Sequence, residues 1–146
     1  MWSDIPHALI GAAALAIHGV SRATADVDLL TVDGGVLDST TWASVEALRL
    51  VKGHEIVDVI VGKFDWQREI IETAEPLSIG SLTLPVAHPA GLILLKLHAG
   101  GPKDAWDVES LLEILERTEL ENAVDHQLTR LPAEARRLWQ RLRSAD

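Results

Sequence analysis

The chain has 146 residues, of which 47% are hydrophobic and 24% charged, so it has the size and composition of one globular domain with its own core. Because it contains no cysteine, a disulfide framework and a thiolate metal site are both excluded. Its 22 acidic residues outnumber the 13 basic ones and give a net charge of −9, which argues against a protein that coats nucleic acid without sequence preference.

An apolar stretch, residues 8–17, lies close to the start of the chain. Residues 1–4 carry no positive charge, unlike the start of a secretory signal, and the apolar stretch is too short to span a bilayer. We therefore expect a soluble cytoplasmic protein that does not bind a membrane.

The sequence GAAALAIHGVSRATADVDLL begins at Gly11 and predicts a small-residue turn, a short apolar helix over residues 13–17, a polar loop and a strand. The strand contains Asp26 and Asp28, and side chains two residues apart on a strand share one face. Two adjacent carboxylates repel each other, so the pair favours a bound cation. Mg²⁺ takes oxygen ligands, often carboxylates together with substrate phosphates. The pattern therefore predicts a metal-assisted phosphate site.

These residues resemble the nucleotidyltransferase motif of the DNA polymerase β superfamily. The positions that carry the resemblance are Gly11, Ala12, Arg22, Thr24, Asp26 and Asp28. The form HG-x-x-R-x-T-x-D-x-D, which begins at His18, is most similar to the AbiEii/AbiGii-type nucleotidyltransferases, many of which are toxins of toxin–antitoxin or phage-defence systems. The resemblance covers roughly residues 5–112.

The rest of the chain alternates between strand and helix, without an internal repeat or a linker. Hydrophobic spacing, turn residues and capping signals predict the bounds. The predicted elements are a helix from Thr40 or Thr41 to about Arg49, a strand over 54–61, a helix from Asp65 to about 73, a hairpin over 76–86, helices over 90–99 and 103–116, a helix opened by a capping box of Thr118 and Glu121, and a last helix after Pro132. We predict one domain, residues 1–146, with C-terminal helices from about 118.

Asp58 lies in the middle of the β-branched run HEIVDVIV, where an unpaired ionised carboxylate would be costly to bury. In the superfamily, a third carboxylate comes from the strand beside the D-x-D strand, and Asp58 is the position that fits. It would complete the metal site and orient or deprotonate the attacking hydroxyl. The alternative is a strand-end aspartate that caps a loop or pairs with Arg22 or Lys52.

Lys96 lies in an apolar helix, and Asp104 and Asp107 lie in the first turns of the next helix. The segment LILLKLHAGGPKDAWDV resembles the C-terminal motif of the AbiEii type, which implies that Lys96 contacts the triphosphate. The alternative is a lysine that extends to solvent along its helix. For the two aspartates a structural role is favoured, at the helix N-terminus and in a salt bridge to Lys96.

The C-terminal segment, residues 130–146, has a local charge balance of +3, so the remaining residues carry −12. A basic tail could contact RNA or an acidic partner. We favour an amphipathic helix packed on the domain through a stripe of apolar residues. The stripe consists of Ala135, Leu138, Trp139 and Leu142.

The resemblance implies an α/β (α+β) polymerase-β-like nucleotidyltransferase fold, a small mixed sheet flanked by helices. It also implies transfer of a nucleoside monophosphate from an NTP to a hydroxyl, dependent on Mg²⁺ or Mn²⁺. The implied catalytic metal ligands are Asp26, Asp28 and Asp58, and the implied nucleotide contacts are Gly11, Ala12, Arg22, Thr24 and Lys96. The acceptor is open: RNA such as a tRNA end, a protein side chain or a small molecule. An antitoxin protein is a possible partner.

Two other interpretations stay open. A non-catalytic module of the same fold would bind a nucleotide or a partner protein; Ala12 and Gly101, which replace residues common in the family, favour it, and three intact carboxylates weigh against it. The second is an antibiotic-modifying enzyme of the same superfamily. Other chemistries lack their motifs, since there is no P-loop and no nucleophile elbow.

Overall fold

The computed structural model describes residues 5–20, 26–32, 47–52, 55–79 and 81–144, and gives only the backbone at 26, 47–52, 55–56, 79 and 82. The chain divides into two compact units. The sheet unit runs through Ala14 and resumes from Arg22 to His88, and the helical unit consists of Leu15–Ser21 and Pro89–Asp146. Among the described residues, no helix is long and apolar enough to cross a membrane.

The described part of the sheet unit contains a single mixed sheet. Its strands are β1 His7–Ile10, β2 Asp26–Thr31, β3 Ala47–Lys52, β4 Glu55–Val61, β5 Glu75–Ile79 and β6 Leu82–Val86. Their spatial order is β3-β4-β2-β1-β6-β5. The pairs β2–β4 and β1–β6 are parallel, and the other neighbouring pairs are antiparallel. The two central strands of the candidate site, β2 and β4, are therefore hydrogen-bonded neighbours.

Helices connect and follow these strands in the described residues. They are α1 Gly11–Ile17, α2 Asp65–Thr73, α3 Pro89–Ala99, α4 Pro102–Ile114, α5 Arg117–Asp125 and α6 Ala133–Ser144, with a 3₁₀ turn at Leu128–Arg130. This arrangement of a mixed sheet with helices confirms the predicted fold class.

Each unit has its own apolar core. In the sheet unit, Leu30 of β2 and Val59 of β4 are fully buried. Trp66 and Ile70 of α2 are almost fully buried. In the helical unit, Trp139 of α6 is fully buried together with apolar residues of the preceding helices. Those residues include Leu92, Ile93, Leu97, Val108, Leu111 and Val124. Burial of these side chains holds each unit together.

Most predicted elements are confirmed. The strand in HEIVDVIV, the helix that starts at Asp65, the hairpin, and the helix that follows His88 all form close to their predicted bounds. The break at Gly100 and Gly101 separates α3 from α4 as expected, and Gly100 has a φ of +72°. Pro132 precedes the last helix, also as expected.

The predicted helix from Thr40 or Thr41 to about Arg49 is wrong at its C-terminal end. Residues 40–46 lie outside the described residues, but Ala47–Lys52 is strand β3. This strand pairs with β4 along its whole length, with Leu48 opposite Val59 and Leu50 opposite Val57. The backbone hydrogen bonds to β4 outweigh the helical spacing of apolar residues in this segment.

Two further boundaries differ from expectation. The segment His7–Ile10 is a strand, whereas the sequence analysis assigned no strand before Gly11. Helix α5 begins at Arg117, so the predicted capping box of Thr118 and Glu121 does not form. Instead the side chain of Glu116 accepts a hydrogen bond of 3.3 Å from the backbone N–H of Thr118. A carboxylate at the N-cap does the same work as the predicted threonine hydroxyl.

Candidate active site

Asp28 and Asp58 are direct partners across two neighbouring strands. The parallel register of β2 and β4 sets Asp28 opposite Asp58, and Asp26 opposite Ile56. Partners in a sheet point to the same face, and neighbouring strands lie about 4.8 Å apart. Both carboxylates are partly buried. The fold therefore brings two of the three predicted catalytic residues side by side, with the backbone of Asp26 two residues before Asp28.

Gly11 lies directly against the side chain of Asp28. Strand β1 ends at Ile10, whose register partner is Asp28, and the chain enters α1 at Gly11 with a φ of +69°. A β-carbon added at Gly11 would lie 2.8 Å from Cγ and 2.9 Å from Cβ of Asp28, and would overlap Oδ2. Both the backbone conformation and the close approach require glycine here. The predicted turn residue is thus part of the same site as the aspartate pair.

Arg49 lies on β3 beside the candidate site, whereas the sequence predicted a helix that ends at about this residue. In the antiparallel register of β3 and β4, Arg49 is the partner of Asp58. The positions of Arg49, Asp58, Asp28 and Ile10 therefore form one row across four strands. Alternation along β3 could have suggested this position, had the segment been recognised as a strand.

Several predicted site residues are beyond what the structure describes. Arg22 and Thr24 lie outside the described residues, and so does the side chain of Asp26. Among the side chains that are described, no group of three histidine, aspartate or glutamate residues is arranged to hold a metal ion. The triad of Asp26, Asp28 and Asp58 thus stays a prediction. Ala12 follows Gly11 in the first turn of α1 and is partly buried.

Lys96 forms salt bridges in the helical unit. Its Nζ lies 3.0 Å from Oδ2 of Asp107 and 3.4 Å from Oδ1 of Asp104. The side chain of Asp107 is fully buried, and that of Lys96 is 19% exposed. Asp104 also accepts a hydrogen bond of 2.9 Å from the backbone N–H of Gly101 at the start of α4. The predicted salt bridge is present, whereas contact between Lys96 and a nucleotide stays a prediction.

The C-terminal helix packs as the favoured interpretation predicts. Ala135, Trp139 and Leu142 are buried, and Leu138 is partly buried. The indole Nε1 of Trp139 donates a hydrogen bond of 2.8 Å to Oδ1 of Asp125, which ties α6 to α5. Arg143 adds charge-assisted contacts to the same helix, 2.6 Å to Asp125 and 3.1 Å to Glu121.

Comparison with known proteins identifies the fold. No protein-family model matches the sequence, and no curated protein matches it. Among solved structures, the chain is similar to the antibiotic-resistance factor ANT(2'')-Ia, with a TM-score of 0.56 and 15% identity over 88% of this chain and 85% of that one. The chain has the nucleotidyltransferase fold. An antigenic nucleotidyltransferase-like protein from Paracoccidioides brasiliensis also matches, with a TM-score of 0.45 and 18% identity over 98% of this chain and 86% of that one.

Within the nucleotidyltransferase fold, the candidate site consists of two aspartates in register and a glycine packed on one of them. Carboxylate oxygens are the ligands that Mg²⁺ prefers. A pair of carboxylates on one face of a sheet can bind a divalent ion, and one of them can also accept a proton from a hydroxyl.

Proposed function

We propose that this protein is a metal-dependent nucleotidyltransferase, which moves a nucleoside monophosphate from an NTP to a hydroxyl acceptor. The observation that carries the proposal is the register of β2 and β4, which sets Asp28 opposite Asp58. Two like charges directly opposite each other in a sheet are destabilising. A site that keeps them together therefore suits a divalent cation that neutralises both.

The chemistry of these donors fits Mg²⁺ or Mn²⁺. Asp28 and Asp58 would hold the ion together with Asp26, whose backbone lies two residues before Asp28 on β2. When bound, the ion supplies charge neutralisation for the phosphates and polarises the oxygens bound to it. Gly11 lets the carboxylate of Asp28 lie directly against the start of α1. Contact of the Gly11 and Ala12 backbone with the phosphates is proposed from the sequence resemblance.

The side chains of the site would carry the following step. Asp58 accepts the proton of the acceptor hydroxyl, and the hydroxyl oxygen attacks the α-phosphorus of the NTP. A new bond forms between this oxygen and the α-phosphorus. The bond between the α-phosphorus and the oxygen that bridges it to the β-phosphorus breaks. Pyrophosphate leaves with the electron pair of that bond. Arg22 and Thr24 are proposed as nucleotide contacts from the sequence resemblance, while the proposal does not require Lys96.

Two observations bear on the acceptor. The match to an antibiotic-resistance factor makes a small hydroxylated molecule the first class to test. The segment of residues 18–28 resembles the AbiEii/AbiGii type. This resemblance supports a toxin of a toxin–antitoxin or phage-defence system, with RNA or a protein as acceptor and an antitoxin as partner.

The test is a transfer assay with each α-labelled NTP, Mg²⁺ and a cell extract, scored for label in RNA, protein and small molecules. Wild type should label one class. Asp28→Asn and Asp58→Asn should abolish labelling while they keep the circular-dichroism spectrum of the folded chain. Glu72→Gln makes the same carboxylate-to-amide change at an exposed position of α2 and should label like wild type. Labelling by Asp58→Asn at the wild-type rate would remove Asp58 from the mechanism.

A further inference from the structure

A concave surface lies in the helical unit, and none of its lining residues belongs to the proposed site. It is a groove of about 800 Å³, formed by the C-terminal end of α3 and one side of α6. Leu97 and Ala135 are buried beneath it, and Pro132, Ala133 and Leu138 add apolar surface. We call it the arginine groove, because Arg136, Arg137 and Arg141 line it and are exposed.

The three arginines of the groove differ from the other arginines of the C-terminal segment. Arg143 pairs with Glu121 and Asp125, and Arg130 donates a hydrogen bond of 2.6 Å to Gln127. Within the part of the chain that the structure describes, the guanidinium groups of Arg136, Arg137 and Arg141 have no hydrogen-bond or ion-pair partner. The excess positive charge of this segment is thus concentrated in the groove, in a chain whose net charge is −9.

The positions of these arginines are unfavourable for an isolated helix. Arg137 and Arg141 are four residues apart on α6, where like charges repel. Arg136 lies in the first turn of the same helix, where the helix dipole favours an acidic residue instead. An anionic ligand in the groove would relieve both effects. Glu134, which also lines the groove, is the one acidic residue among the described lining residues.

The lining favours a peptide over a nucleic acid. Surfaces that bind single-stranded nucleic acid combine positive charge with aromatic side chains on which bases stack. The described residues that line this groove include no phenylalanine, tyrosine or tryptophan, and the imidazole of His98 is the one aromatic ring among them. Its apolar residues instead provide a surface for aliphatic side chains, beside guanidinium groups that match carboxylates in bidentate geometry.

We propose that the arginine groove binds an acidic, amphipathic segment of a partner protein. Carboxylates of the segment pair with Arg137 and Arg141, and its apolar side chains contact Leu138 and the surface above Leu97 and Ala135. The inference stands apart from the proposed nucleotidyl transfer, since none of these residues belongs to the proposed site.

The test is selection of short random peptides displayed on phage against the full chain, with subtraction of peptides that also bind Arg137→Glu/Arg141→Glu. Enriched peptides should carry aspartate or glutamate between apolar residues at helical spacing. Labelled copies should bind the double variant roughly tenfold more weakly or worse in fluorescence anisotropy. Lys63→Glu/Arg68→Glu makes the same change of net charge at two exposed residues of the sheet unit, and this matched control should leave affinity unchanged. Circular dichroism and thermal melting verify that both variants fold.

Two further probes separate the possible ligands. A selected peptide whose apolar residues are replaced by serine keeps its charge and should bind much more weakly, because attraction to the arginines alone is screened by salt. Labelled oligouridine should bind weakly and should not displace the peptide. The proposal is overturned if no peptide distinguishes wild type from the double variant, or if oligouridine binds more tightly than the selected peptides and loses affinity in that variant.

Discussion

At Gly11 the backbone has a φ of +69°, and the side chain of Asp28 occupies the space that a β-carbon would take. Conformation and close packing thus restrict one position to glycine, beside the carboxylate that we place in the site. Both residues are among the positions that carry the sequence resemblance, so this part of the motif has a physical cause in the fold. A side chain at position 11 would displace the carboxylate of Asp28 from its place beside Gly11.

We expect Gly11→Ala to destabilise the chain more than Gly100→Ala does. Gly100 also has a positive φ, +72°, but a β-carbon there meets no atom closer than 3.8 Å. Gly100→Ala should therefore cost about 1–2 kcal/mol for the left-handed conformation alone, and Gly11→Ala about 1–3 kcal/mol more for displacement of Asp28. Denaturant melts of both variants measure the difference. Equal losses would mean that Asp28 moves away from Gly11 at no cost.

Pairing with a neighbouring strand determines whether a segment forms a strand or a helix where the local spacing of apolar residues fits both. The β-branched run that became β4 and the two aspartates of β2 identify those strands without knowledge of the fold. Strand β3 was not predictable, because Leu48 and Arg49 also fit a helix, and only their partners on β4 decide for a strand. The place of Arg49 in the row with Asp58 was missed for the same reason.

The packing of α3 against α4 depends on Lys96 and the buried carboxylate of Asp107. Asp107→Leu should destabilise the chain by about 2–3 kcal/mol, below the full value for a buried pair, because Lys96 keeps Asp104 and partial contact with solvent. Lys96→Met combined with Asp107→Leu should recover most of that loss, since the apolar pair needs no charge compensation.

Asp104→Ala, on the same helix as Asp107, is the control for the pair of Lys96 and Asp107. It removes the hydrogen bond to the N–H of Gly101 and the longer contact to Lys96, and should cost about 1 kcal/mol, typical of a lost N-terminal cap. Chemical denaturation of the three variants gives the values. If the double variant stays as far below wild type as Asp107→Leu alone, the apolar pair does not replace the ion pair and the prediction is wrong.

For the whole molecule, the sequence predicts the nucleotidyltransferase fold through a motif of a few residues, and the solved structure of ANT(2'')-Ia confirms that fold at only 15% identity. The partners of charged residues were harder to predict. The sequence shows five arginines after residue 129, but which of them are neutralised depends on Asp125 and Glu121 of another helix. Contacts between residues distant in the chain follow from packing, which residue spacing does not encode.

We propose that Asp28 and Asp58 together form a metal-dependent nucleotide site. The most direct test of this proposal is the thermal melting of wild type and Asp58→Asn, each with and without Mg²⁺ and NTP, in one buffer. Without metal, Asp58→Asn should melt at a higher temperature, because it removes one of two opposed charges. Wild type should gain about 2.7 kcal/mol at a hundredfold excess of ligand over its dissociation constant, or roughly 5–10 °C.

In that measurement Asp58→Asn should lose most of the gain, while Glu72→Gln should keep it, since Glu72 is exposed on α2. The measurement needs no knowledge of the acceptor. The opposite pattern would make Asp58 a structural residue. In that pattern, Asp58→Asn is less stable than wild type without metal, and the melting temperature of wild type does not change with Mg²⁺ and nucleotide.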